Sequence, residues 1–337
     1  MKKQLKNIVL YLLLPGIGIF IALFLTEIAL RFTGFEFTLY PTRVQIGWPD
    51  PVTIKRRYML DEDLLWVPKN YSDRKQLPNG AFPSLVFMGC SCTEFGRYDK
   101  YLSEIINQNF PDSGFTFVNL GVGGWSSYQG LKQLKRDIVP MRPRIITIFY
   151  GWNDHWCTFG LEDKKIGDFN LNYPKIMTAL STNFRLVQLI NKSIFAMKFC
   201  GKTDTKRVSL EDFRANLKEM IRVARRNSII PVFLTAPTSH RKGEEPAYLS
   251  KRWLKDLSKL VPLHESYVQV VRDITHQEGV YLVDLYQQFR KLPREKMEKS
   301  FGTDGIHLTE EGNKIIAHYL YEYFVQTGLI KTLVTNN

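Results

Sequence analysis

From residue 84 onward the chain carries five short apolar runs, Leu85–Met88, Phe115–Leu120, Arg144–Tyr150, Ile229–Thr235 and Val280–Leu285. Runs of this length without polar alternation predict strands buried on both faces. Helical patterns stand between and after them, around Tyr101–Asn109, Ser127–Ile138, Leu210–Asn227, Ser266–Glu278 and Glu311–Val325. In the third of these, Phe213, Leu217, Met220, Ile221 and Ala224 recur at helical spacing, and Asn227 is a fair stop signal. Strands alternating with helical crossovers predict an α/β domain: three layers, α/β/α, around a flavodoxin-like parallel sheet of about five strands. In such sheets the functional residues gather at the carboxyl ends of the strands, where chain order reverses.

One further apolar stretch has a different period and length. Ile8–Leu30 holds 23 residues whose only formal charge is Glu27, which is enough to cross a hydrocarbon core of about 30 Å at 1.5 Å per residue. Lys2, Lys3 and Lys6 precede it, while Arg31 and Arg43 follow, so the positive-inside rule favours a cytoplasmic N-terminus. The run exceeds a usual signal-peptide core and lacks a convincing small-x-small cleavage site, which favours an uncleaved single-pass anchor over a cleaved signal. The expected organisation is a short basic N-terminus (1–7), a transmembrane helix (8–30), a connector (31–83) and a main domain (84–330) exposed outside the cytoplasm. Within the connector, DLLWVPKNYSD reads as a segment hugging the surface.

At 337 residues, with 44% hydrophobic and 23% charged positions, the chain has the makeup of an ordinary folded protein. Its net charge of +13 makes anionic surfaces plausible neighbours, but the basic residues are scattered and no nucleic-acid motif is present. Four cysteines do not make a disulfide framework at this length. In an exported body Cys157 and Cys200 can bridge. Cys90 and Cys92 form a lone C-x-C, weak evidence for metal or redox chemistry; buried thiols are the plainer reading.

Candidate chemistry lies where the predicted strands end. In SLVFMGCSCTEFG, Gly89 permits a sharp turn and Ser91 stands where strand gives way to loop and helix, near backbone N–H groups able to hold negative charge. Alone, Ser91 is equally a turn serine. Near the C-terminus, TDGIHLTEEG sets Asp304 and His307 three residues apart, so one turn can supply a histidine and the carboxylate that fixes its tautomer. His307 alone is equally a surface or capping histidine. Together the three make a candidate nucleophile, base and orienter. Asn119-Leu120-Gly121-Val122-Gly123-Gly124 follows the second strand, either as a close-approach loop or as an ordinary tight turn. Gly151-Trp152-Asn153-Asp154 follows the third, where Asn153 can donate an amide to a developing oxyanion or simply serve a turn or cap.

Four blocks in this order resemble the SGNH (GDSL-type) hydrolases, a family of esterases and acyl-transferring enzymes, and the likeness covers roughly residues 84–325. It implies Ser91 as nucleophile, Gly124 and Asn153 as oxyanion-hole donors beside the Ser91 N–H, and Asp304 and His307 as the rest of the triad. Gly121 and Gly123 stand close to Gly124 as neighbouring backbone donors. The anchor followed by an LLWVPKN-like connector is also similar to membrane-tethered bacterial members. Cys90 departs from the family's Gly-Asp-Ser, which puts loop geometry and rate in doubt more than reaction type. The expected function is a serine esterase acting on O-acyl esters of a glycan or lipid, with no metal or organic cofactor. The alternatives are an O-acyltransferase on cell-surface polysaccharide and a degenerate glycan- or lipid-binding descendant. Two insertions, 155–206 with Tyr173, Phe184, Phe195 and Phe199, and 238–262 rich in Lys and Arg, either set substrate choice or are surface elaboration. Asn153 itself is expected at a solvated cleft.

Overall fold

The computed structural model describes residues 2–37, 57–77, 81–158, 162–165, 180–181, 183–199, 205–251 and 254–335. Arg43, Tyr173 and Cys200 lie outside them, as do the side chains of Phe195 and Phe199.

Five strands form one parallel sheet: β3 (Leu85–Gly89), β4 (Phe117–Asn119), β5 (Ile145–Phe149), β6 (Ile230–Leu234) and β7 (Tyr281–Val283). Their order is β4-β3-β5-β6-β7, the flavodoxin arrangement. Because β4 and β5 flank β3 on opposite sides, a crevice opens at the carboxyl end of β3. Alternation along β3 and β5 divides the core. Val86, Met88, Ile146 and Ile148 face one layer, while Leu85, Phe87, Ile145 and Phe149 face the other, all of them buried.

The helices used below are α1 (Lys2–Phe32), α2 (Ser91–Glu94), α3 (Tyr98–Asn109), α4 (Ser127–Gln133), α5 (Arg185–Phe199), α6 (Leu210–Arg226), α7 (Leu260–Glu278) and α8 (Glu310–Gln326). The first layer is closed by α6 with the apolar stripe read above and by Tyr267, Val270, Val271 and Ile274 of α7. The second is closed by Leu102 and Ile106 of α3 and by Ile316, Leu320 and Phe324 of α8. Two boundaries differ from expectation. Helix α7 starts at Leu260 rather than Ser266, because Pro262 falls in the first turn, where a missing N–H costs nothing. Helix α4 widens into a π-turn over Leu134–Ile138 just before Pro140, which cannot donate a backbone hydrogen bond.

The connector is not the surface segment expected of it. Tyr58–Asp61 (β1) and Leu65–Pro68 (β2) form an antiparallel hairpin, and Leu64, Leu65, Trp66, Val67 and Tyr71 are buried in the core. The run shows no sustained period because its strands are only four residues long and Leu64, Leu65, Trp66 and Val67 are buried in succession rather than on alternate positions. Trp66 donates Nε1–H to the Gly123 carbonyl at 3.1 Å, and Trp125 returns the same bond to the Trp66 carbonyl at 3.0 Å. Among the described residues, one helix is long and apolar enough to cross a membrane, Leu13–Phe32 within α1.

Candidate active site

The predicted site residues stand beyond the carboxyl end of the sheet, Ser91 at the start of α2 and Gly124, Asn153, Asp304 and His307 on loops. After β3 the chain turns at Gly89, where an added Cβ would sit 2.1 Å from Thr93 Oγ1 and 3.0 Å from the Phe149 carbonyl. Only glycine lets α2 fold back this closely on its strand, and that fold places Ser91 at the first position of α2. The Ser91 N–H has no partner among the described residues.

The second half of the site is a tight loop closed by the bridge between Phe301 and Leu308, just before Thr309 caps α8. Asp304 Oδ1 accepts the N–H groups of Ile306 and His307, both at 2.9 Å, which fixes the carboxylate within its own turn. Its other oxygen, Oδ2, accepts from His307 Nδ1–H at 2.5 Å, and Ser91 Oγ lies 2.7 Å from His307 Nε2. Burial pushes the Asp304 carboxyl upward, but the hydrogen bond and charge of His307 and the two amides win, lowering it to about 2. An ionised Asp304 accepts only, so the proton belongs on Nδ1 and Nε2 is left to accept from the Ser91 hydroxyl. For His307 burial pulls the pKa down, yet the hydrogen bond and charge of Asp304 outweigh it and the net shift is upward.

The glycine loop resolves into distinct roles. Gly121 is a packing residue: its N–H goes to Asn119 Oδ1 at 3.0 Å, and a Cβ there would lie 2.6 Å from the Glu94 backbone. The Gly123 N–H is taken by Glu94 Oε2 at 2.5 Å. Gly124 adopts φ +79°, and among the described residues its N–H has no partner. Asn153 is 8% exposed, so the solvated cleft expected for it is wrong. It donates one Nδ2–H to the Trp125 carbonyl at 3.0 Å, which ties the loop after β5 to the residue next to Gly124. Among the described residues the other Nδ2–H has no acceptor.

Several residues that local sequence reading passed over hold this geometry. Glu94, three residues after Ser91, accepts from Tyr58 Oη at 2.7 Å, Arg74 Nη2 at 3.0 Å and the Gly123 N–H, so it joins the serine helix to the glycine loop. Asp154 accepts the N–H groups of Ser127 at 2.8 Å and Gly151 at 3.1 Å; burial raises its pKa to about 6 against the Ser127 bonds. Arg207 and Asp163 form a buried pair, bonded at 3.1 and 2.7 Å, and Arg207 Nη1 donates to the Gly124 carbonyl at 2.7 Å. His240 donates Nε2–H to the Asp304 carbonyl at 2.8 Å. Glu94 and Asp154 lie within the same short motifs as Ser91 and Asn153. For Arg207 and Asp163, at the edges of a long insertion, no local signal existed.

Cys90, in the position of the family aspartate, precedes Ser91 as the N-cap of α2 and is buried with Cys92. A hydrogen bond from Cys92 lowers the Cys90 thiol against the effect of burial, and Cys92, the donor, is pushed up. Cys92 Sγ also lies 3.7 Å from the Ile306 carbonyl, a weak link between serine helix and histidine loop. Cys157 pairs across a backbone bridge with Lys206, whose Nζ lies 3.5 Å from its sulfur.

With the geometry in place, comparison with known proteins is informative at one level. A family model described as GDSL-like Lipase/Acylhydrolase matches residues 84–315. No curated protein sequence is significantly similar to the chain. Similar solved structures include a lipase/acylhydrolase from Enterococcus faecalis, with TM-score 0.46, 16% identity, and 73% of this chain and 96% of that one covered. A GDSL-like lipase from Bacteroides thetaiotaomicron gives 0.46 at 14% identity, covering 77% and 97%. An acetylxylan esterase from Geobacillus stearothermophilus gives 0.46 at 16%, covering 71% and 92%. Likenesses this distant carry nothing about what the present chain acts on.

Proposed function

This chain belongs to the GDSL-like lipase/acylhydrolase family and is an ester hydrolase, and from that premise we propose that Ser91, His307 and Asp304 are its nucleophile, base and orienting carboxylate. The observation that carries the assignment is the continuous relay of hydroxyl, imidazole and carboxylate at 2.7 and 2.5 Å. His307 Nε2 takes the Ser91 proton as Oγ attacks the ester carbonyl, and Asp304 stabilises the resulting imidazolium. The oxyanion is held by the free N–H groups of Ser91 and Gly124 and by the spare amide hydrogen of Asn153. Collapse expels the alcohol, protonated by His307, and leaves an acyl-serine. Water, activated in turn by His307, attacks that carbonyl and releases the carboxylic acid.

The substrate class we propose is an O-acyl ester, in particular an acetyl ester, of a glycan or lipid. Incubating the purified protein with O-acetylated glycans and lipids should release acetate detectable by mass spectrometry, and Ser91→Ala should not. Transfer of the acyl group to an added glycan without free acid would replace the hydrolase by a transferase. Binding without turnover by the parent protein would leave only a binding role.

We further propose that α1 is an uncleaved anchor with the body outside the cytoplasm. The end of α1 is held by the start of α5: Glu27 accepts the N–H groups of Arg185 and Leu186 at 3.1 and 2.8 Å, and Arg31 Nη2 reaches the Asn183 carbonyl at 2.7 Å. Cleavage within or after α1 would discard these contacts, which favours retention. A reporter fused after Asn337 should be active outside the cytoplasm. Activity only inside would reverse the orientation.

A further inference from the structure

Helix α5, inside the first insertion, is inverted in polarity. It buries Gln188, which is 0% exposed, and Asn191, at 7%. It exposes Ile190 at 48%, Ile194 at 38% and Met197 at 76%, and Phe184 just before it at 46%. Ile190, Ile194 and Met197 stand at i, i+4 and i+7, a single face. A helix facing only water would show the opposite pattern.

The buried polar side has an identifiable purpose, which is to grip the chain leaving α1. Gln188 Oε1 accepts from the Phe37 N–H at 3.0 Å, Arg185 pairs with Glu36, and Lys192 Nζ lies 5.4 Å above the Phe35 ring. Glu27 caps the start of α5 through the amides of Arg185 and Leu186. Helix α5 is thereby held at a known level along α1. Glu27 is five residues before Phe32, the end of the candidate span, hence about 7.5 Å of helical rise from it. That depth matches the roughly 5–10 Å at which interfacial helices bury their apolar face. Charge is compatible as well: the sequence of α5 contains no acidic residue.

We propose that α5 is a second membrane contact, an interfacial helix lying in the headgroup region of an anionic phospholipid bilayer with Ile190, Ile194 and Met197 in the acyl boundary. This rests on the reading of α1 as a retained anchor. Its consequence is orientation. One transmembrane helix leaves a body free to swivel, whereas a second contact fixes which side of it faces the bilayer.

The test uses the full chain with Cys200→Ser and single cysteines introduced by Ile194→Cys, Met197→Cys, Ile19→Cys in α1 or, as a water-exposed reference on the main domain, Glu295→Cys. Each variant is labelled with an environment-sensitive fluorophore and placed in vesicles of phosphatidylglycerol and phosphatidylethanolamine. Labelling of the parent with Cys200→Ser alone gives the background from the buried thiols. Probes at positions 194 and 197 should match the probe at 19, with blue-shifted emission, quenching by acyl-chain spin labels and loss of iodide quenching; the probe at 295 should do the reverse. If 194 and 197 behave like 295 while 19 stays lipid-quenched, the interfacial helix is refuted and the anchor stands. If 19 is also open to iodide, the anchor fails and α5 fails with it. Efficient disulfide crosslinking between two Ile194→Cys chains would overturn the proposal in favour of a second copy covering the face.

Discussion

Replacing Asn153 by alanine separates the two jobs the structure gives this side chain. One Nδ2–H holds the Trp125 carbonyl at 3.0 Å in a setting that is 8% exposed; the other is unassigned in the resting site. Losing the first leaves a carbonyl short of a partner away from water, which costs about 1–3 kcal/mol of stability. Losing the second removes one oxyanion donor, which costs about 2.7–4 kcal/mol of transition-state stabilisation, or 10²–10³-fold in kcat. The two effects can be read apart because a domain with roughly 5–15 kcal/mol of stability stays folded after the first loss. Steady-state kinetics on a small acetyl ester, with a denaturant melt of the same preparation, measure both. The expectation is a lowered midpoint together with a kcat drop of about two to three orders of magnitude, with KM little changed. A lowered midpoint with kcat close to the parent value would remove Asn153 from the oxyanion hole and leave it as a loop brace.

An organophosphonate or sulfonyl probe should label Ser91, and His307→Ala should abolish labelling; attachment to Cys90 or Cys92 that survives Ser91→Ala would indicate a thiol mechanism instead. Since Asp304 raises the pKa of His307 above the ordinary 6.5, kcat/KM should fall on the acid side with an apparent pKa above that value, and an inflection below 6.5 would contradict the pairing. The stability signs are opposite for the two partners. His307 pairing helps fully below 6.5 and fades as pH rises through its raised value, while Asp304 pairing helps above 3.8 and is lost as pH falls towards about 2, which a pH series of melts can follow. Arg207→Met should cost about 3–5 kcal/mol by stranding the buried Asp163 carboxylate. Adding Asp163→Leu should restore much of that stability without restoring kcat, because the Gly124 carbonyl still lacks its brace; parent-like kcat in the double variant would refute a positioning role.

The sequence alone carried the centre of the sheet. Its inner strands β3, β5 and β6 are runs of buried, mostly apolar residues, the pattern that parallel strands covered on both faces demand, whereas the edge strands β4 and β7 are shorter and only partly buried, against the expectation for them. It carried the candidate chemistry in the same local way, since Asp304 and His307 share one turn and Ser91 follows its strand by two residues. What the tertiary structure decided are meetings between distant positions that no window of sequence displays. Ser91 and His307 are 216 positions apart, and only the order of the strands brings them to 2.7 Å. Among three neighbouring glycines, Asn119 and Glu94 occupy the amides of Gly121 and Gly123, and only the Gly124 N–H is without a partner among the described residues. Trp66 looked like connector because the surface it docks on is assembled from residues near 123 and 125. Helix α5 is set apart from the rest of its insertion only by tertiary contacts, its polar side gripping residues 27–37. Periodicity reports which face of an element is apolar; which partner covers that face depends on contacts closed across the whole chain, and those exist only once it has folded.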